Sequence, residues 1–120
     1  MEKELFEYVE PRIKKLSKSF SAAPEVKAAA KAWMEAVAAD EAAADDATAA
    51  LLDAIDSKVE TIDEAIAYAK GPGMEMFGLA GGQVIVAKLL AAKDAGAKWC
   101  DCEVCTAMAE ILAKFDRIEL

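Results

Sequence analysis

Apolar residues recur at helical spacing along almost the whole chain. Leu5, Val9, Ile13, Leu16 and Phe20 step by three and four and share one helical face, which Phe6 widens. Pro11 lies inside this pattern, where it removes the backbone bond to the carbonyl of Glu7. The unbroken stripe predicts one helix kinked there rather than two. Ser21-Ala22-Ala23-Pro24 breaks the pattern, and Pro24 suits the first turn of a second helix with the face Val26, Ala29, Ala30, Trp33 and Val37. After a turn near Asp40, a third helix is expected from about Glu41 to Val59, with the stripe Ala44, Ala47, Leu51, Leu52, Ile55 and Val59.

Thr61-Ile62-Asp63-Glu64 has the form of a capping box. It opens a short fourth helix through Ile66 and Ala69, which Gly71-Pro72-Gly73 should end. Met74 to Gly82 reads as a turn of helix inside a loop. A fifth helix follows from about Gly82 to Ala95, with Gly96 as its left-handed cap. Leu79 to Ala92 is the longest apolar stretch, interrupted by Gln83 and Lys88. It falls short of the ~20 residues that span a bilayer, so it is expected to be a buried core helix with no membrane contact. The last helix is expected from about Val104 to Arg117, with Val104, Met108, Ile111, Leu112, Phe115 and Ile118 on its face. Together these elements predict an all-α fold, a compact antiparallel bundle of five or six short helices forming a single helical domain over residues 1–120.

Composition supports helices and removes several chemistries. Of 120 residues, 28 are alanine, six glycine and three proline. Alanine-lined faces require close helix approach and make a homodimer an expected partner state. There is no histidine, so Ser-His-Asp and Cys-His catalysis and imidazole metal ligation are excluded. Catalysis by cysteine with carboxylates ranks last, for want of a base with a near-neutral pKa. The net charge of −8 argues against nucleic acid as a partner. That charge is local. Residues 40–64 hold nine acids and one base, Lys58, while the rest of the chain balances. This acidic segment can lie against the basic residues of 11–31, or present a face to a basic partner protein.

One cluster has distinctive chemistry: Cys100-Asp101-Cys102-Glu103-Val104-Cys105. Three cysteines in six residues are no disulfide framework, and the N-terminus, with acids among its apolar residues, is no signal peptide. A reducing, cytoplasmic setting is expected. Cys102 and Cys105 have C-x-x-C spacing at the entry to a helix, whose first amides favour thiolate over thiol. Soft thiolates at Cys100, Cys102 and Cys105 suit zinc, copper(I) or an iron–sulfur cluster. Three sulfurs leave the fourth position of a tetrahedral site to Asp101, Glu103, a distant carboxylate, water, a substrate or a second subunit's cysteine. Thiol redox is the second reading, with a Cys102–Cys105 disulfide and Cys100 as a third thiol. Inert packing is the alternative to both and carries at least as much weight as either, although the alternating acids suit a core poorly.

The remaining candidates have structural explanations. Trp33 and Trp99 fill gaps between alanine-rich helices, and Trp99 should shield the cysteine loop. Met34, Met74, Met76 and Met108 are thioethers more suited to core filling than to copper(I). Asp45, Asp46, Asp53 and Asp56 lack the calcium-loop pattern and read as a solvated helix face. No phosphate-binding fingerprint surrounds Gly71, Gly73, Gly81 or Gly82.

Three segments carry a resemblance: Glu25-Val-Lys-Ala-Ala-Ala-Lys-Ala-Trp33, then Ile62-Asp63 with Ile66-Ala67, then Gly96-Ala-Lys-Trp-Cys-Asp-Cys-x-x-Cys105. They resemble a family of small bacterial all-helical proteins sometimes labelled as relatives of the ninety-kilodalton heat-shock chaperone. The resemblance spans about residues 21–115. It implies a helical fold and no established function. The chaperone label does not transfer, because the chain is too short for that ATP-binding domain and has no nucleotide motif. Relatives often carry Cys-Cys at Ala22-Ala23 and histidine at Lys88. The resemblance therefore implies a fuller ligand set elsewhere than the three cysteines kept here.

Overall fold

The computed structural model describes all 120 residues as six helices without a sheet. They are α1 (Lys3–Lys18), α2 (Pro24–Ala39), α3 (Glu41–Asp56), α4 (Ile62–Lys70), α5 (Pro72–Asp94) and α6 (Glu103–Lys114). The predicted all-α class is the observed one. The helices divide into two packed groups. α1, α2, α3 and α6 form a four-helix body, and α4 pairs with α5 as a separate hairpin. No Cα of the hairpin helices comes within 8 Å of a Cα in the body helices. The molecule is accordingly elongated, 49 × 26 × 19 Å.

The body owes its cohesion to the stripes read from sequence. Val9, Ile13 and Leu16 of α1, Val26, Ala30 and Trp33 of α2, Leu51, Leu52 and Ile55 of α3 and Ile111 and Leu112 of α6 form one continuous core. Trp33 is fully buried and fills the space the alanines leave, with Phe6 stacked on it at 5.7 Å between ring centroids. Its indole N–H donates to Thr48 Oγ1 at 2.9 Å, and that hydroxyl donates to the Ala44 carbonyl at 2.7 Å. A buried polar group on each helix is thereby satisfied. α1 runs through Pro11 as one helix, with the proline on its exposed side. Phe20 does not extend the α1 stripe as expected: the helix ends at Lys18 and leaves the ring 98% exposed.

Charge is arranged differently from a basic hairpin facing an acidic helix. The α3 acids Asp53 and Asp56 meet Arg117 at 3.3 and 3.5 Å. Arg12 stacks on the Tyr8 ring and donates to Glu110 at 3.0 Å, joining α1 to α6. Lys58 pairs with Glu25 at 3.0 Å. These partly exposed pairs fix orientation more than stability.

The hairpin is where sequence expectation and structure part. The capping box at Thr61 and Glu64 forms in both directions, and Gly71 ends α4. Helix then restarts at once, so Met74 to Gly82 is no loop. α5 begins at Pro72 and changes direction at Gly78, whose φ of 76° and ψ of 168° belong to a region only glycine enters without strain. The bend folds Met74 back over Gly82, where any Cβ would collide with the methionine. α5 is also not the buried core helix its composition suggested. Only 11% of its most apolar stretch is buried. Leu89 packs with Ile62, Ala65, Ile66 and Ala69 of α4, while Met76, Leu79 and Val84 face outward. Counted end to end, α5 is the one helix long and apolar enough to span a bilayer, but the Gly78 bend divides that length.

Candidate metal centre

The cysteines occupy the junction between the two groups. After α5, Gly96 turns the chain with a φ of 97°, the left-handed conformation expected there. Residues 98–100 then run antiparallel to the segment that leaves α3. Ile62 N–H donates to Lys98 O and Cys100 N–H to Glu60 O, each at 2.9 Å. Both strands that link hairpin to body are thus tied together beside the first cysteine. Trp99 contributes from the far side. Its indole N–H donates to the Glu119 carbonyl at 2.7 Å, so it anchors the C-terminal segment to this junction.

Cys102 is the N-cap of α6. Its Sγ accepts from the Cys105 N–H at 3.3 Å, the arrangement the C-x-x-C spacing predicts at a helix start. Cys105, one turn into the helix, is buried in the body core, and Cys100 packs against both apolar cores. All three are free, and their sulfurs lie within 4.8 Å of one another. The spacing of three and the strand-to-helix turn therefore converge the thiols on one point.

The cluster is electrostatically uneven. The neighbouring Cys100 and Cys105 thiols hold Cys102 well below the usual thiol range, aided by the first backbone amides of α6 and opposed by burial. The same proximity raises its neighbours: Cys100 chiefly through Cys102, and Cys105 through Cys100 and Cys102, with burial adding to both. A cluster of this kind can exchange thiol protons for a soft cation, which bonds thiolates in their place.

Sequence reasoning missed Glu60. It lies on the other connector, forty residues away in the chain from Cys100, and only the Glu60–Cys100 backbone bond brings it to the cluster. Its carboxyl is held above the usual range by burial first and then by the Cys102 charge. Of the nearer carboxylates, Glu103 turns away to Lys15 at 3.4 Å, while Asp101 stays on the cysteine side. The expectation that the methionines fill the core holds for Met108 and fails for Met76. Met108 is buried beside the cluster, whereas Met76 is mostly exposed on the hairpin.

A cleft of about 590 Å³ opens between hairpin and body, and all three cysteines line it. Val26 and Met108 belong to the body wall, Tyr68, Phe77, Ile85 and Leu89 to the hairpin wall, and Lys58 and Glu60 are among the few charged groups. Compared with known proteins, the chain matches no family model, no curated protein and no solved structure.

Proposed function

We propose that this protein binds a soft metal ion through Cys100, Cys102 and Cys105. The observation that carries the reading is the convergence of three free sulfurs within 4.8 Å. Zinc, copper(I) and an iron–sulfur cluster are the candidate occupants that thiolate ligands favour. A three-sulfur set leaves one position of a tetrahedral ion open, and Glu60 and Asp101 are the carboxylates that share the cleft with the sulfurs. Free thiols suit a reducing compartment such as the cytoplasm. The test is anaerobic purification, elemental analysis and thiol titration. Stoichiometric zinc, copper or iron that disappears in Cys102→Ser supports the reading. A metal-free protein that forms a reversible Cys102–Cys105 disulfide makes the cluster a redox switch instead. Three inert thiols and no metal refute both.

A second reading rests on α5. Met76, Leu79 and Val84 are 67%, 68% and 68% exposed on the two limbs of α5, while Leu89 of the same helix packs on α4. Exposed apolar surface of this extent marks an interaction site. Residues 62–94 carry four acids and three bases, without the basic rim of a helix that lies on anionic lipid. Beyond the Gly78 bend, Leu79 to Asp94 reaches only about 24 Å, short of a ~30 Å hydrocarbon core. A second copy of the chain fits better, pairing α5 with α5 about a two-fold axis. Sedimentation should then show a dimer that Leu79→Lys with Val84→Lys converts to a folded monomer. A monomeric wild type at about 50 µM, well above the ~1 µM dissociation constant of an ordinary specific interface, rules this out. An acidic α3 that docks a basic protein remains the further partner reading for residues 40–64.

A further inference from the structure

A bare metal ion on the three cysteines would leave most of the neighbouring cleft empty. The volume, about 590 Å³, is that of a small-molecule site, and 13 of its 18 lining residues are hydrophobic. The sulfurs form part of the same surface as Val26, Phe77, Ile85 and Leu89. Thiophilic chemistry and an apolar chamber thus share one space. Resting on the metal reading above, we propose that the site takes its soft centre in organic form: a metal or metalloid already bonded to an apolar group, with the centre on the sulfurs and the organic group between hairpin and body.

The architecture suits such a ligand. The hairpin wall is held to the body only through the two connectors and the cysteine segment, since no hairpin helix packs on a body helix. Phe77 and Tyr68, 53% and 44% exposed, stand on the hairpin side of the cleft and have apolar surface still to bury. A ligand that joins the sulfurs to these side chains supplies contacts the two groups lack between themselves. Lys58 already pairs with Glu25, so the cleft offers no free cation that would favour an anionic ligand over an apolar one.

Trivalent arsenic provides matched probes. Phenylarsonous and methylarsonous acids carry the same arsenic centre and differ only in the organic group. On binding, two arsenic–oxygen bonds break, two arsenic–sulfur bonds form, and two waters leave with the thiol protons. Arsenic stays trivalent and the third sulfur stays free. Burying a ring rather than a methyl group should favour the phenyl compound by roughly 10- to 100-fold. Phe77→Ala and Ile85→Ala should each lower that ratio several-fold. Leu90→Ala, exposed on the same helix and outside the cleft, should leave it unchanged. Circular dichroism checks that each variant is folded.

A phenyl-to-methyl ratio near one in the wild type overturns the inference, as does a ratio untouched by both cleft variants. If neither arsenical binds while zinc or cadmium does, the inference falls and the metal reading stands. If neither arsenicals nor metal ions bind, both fall.

Discussion

Serine at position 102 separates a cysteine kept for chemistry from one kept for folding. Cys102 has two structural roles that serine can also fill. Its sulfur caps α6 through the Cys105 N–H at 3.3 Å, and it lies within 4.8 Å of the Cys100 and Cys105 sulfurs. Serine is among the preferred N-caps, and replacing such a cap by alanine costs about 0.5–2 kcal/mol. A hydroxyl oxygen is also a better neutral acceptor than sulfur. Against this gain stands the loss of a thiolate at the helix N-terminus, worth about 0.3–1 kcal/mol. The two terms oppose each other, so metal-free Cys102→Ser should lie within about 1 kcal/mol of the wild type. For a chain of this length that is a shift in Tm of roughly 3–6 °C at most. Metal changes the comparison. Zinc or cadmium at a hundred times its dissociation constant stabilises a single-site protein by about 2.7 kcal/mol. The wild type should gain the corresponding Tm rise and Cys102→Ser should gain almost none. Paired thermal melts with and without metal under reducing conditions read both quantities. A metal-dependent rise that survives in Cys102→Ser refutes the three-sulfur site. A metal-free variant that has lost several kcal/mol refutes the capping analysis and makes the cysteine structural.

Three further outcomes follow from the same geometry. Thr48→Val leaves the buried Trp33 indole N–H without its acceptor and should cost about 1–3 kcal/mol in a denaturant melt, with Thr48→Ser close to wild type. Gly78→Ala meets no atom within 4 Å, so its cost is purely conformational, about 1–3 kcal/mol; faster hydrogen exchange should be confined to residues 62–94, because the hairpin does not pack on the body helices. In the metal-free protein, the depressed Cys102 pKa means that the stabilisation from its thiolate is complete above the ordinary thiol value of about 8.5 and is lost as pH falls through the lower folded value; its alkylation by iodoacetamide should therefore stay nearly constant from about pH 8.5 down to neutrality, whereas a tenfold or greater fall would contradict the hydrogen-bonded thiolate.

The body of the fold was readable because its stripes have helical period and large members. Val9, Ile13 and Leu16, or Ile111 and Leu112, have one buried side, and any antiparallel arrangement must bring those sides together. The hairpin was less readable for a physical reason. α5 is apolar around nearly its whole circumference from Leu79 to Ala92, so its sequence has no polar side to orient it. Composition alone favours burial for such a helix, yet only α4 covers it, and four of the nine α4 residues form that buried face. The start of α5 was hidden by Gly71-Pro72-Gly73, which both stops one helix and begins the next. A proline is favoured at the first position of a helix, so the same residues that signal a break also permit a restart.

The site shows a corresponding division between local and distant information. C-x-x-C spacing at a helix entry dictates that Cys102 caps α6 and that Cys105 lies one turn along, so their proximity is a property of six residues. Cys100 joins them only because its backbone is bonded to Glu60, at the end of the other connector. That bond is a consequence of where the hairpin leaves and re-enters the body, which no local pattern encodes. The same is true of the cleft. Val26 and Phe77 face one chamber with the sulfurs although they are far apart in sequence. The thiol chemistry could thus be read from the chain, but the apolar space beside it could not. That space separates a site built for a bare ion from one with room for an organic group bonded to it, since three sulfurs alone serve either.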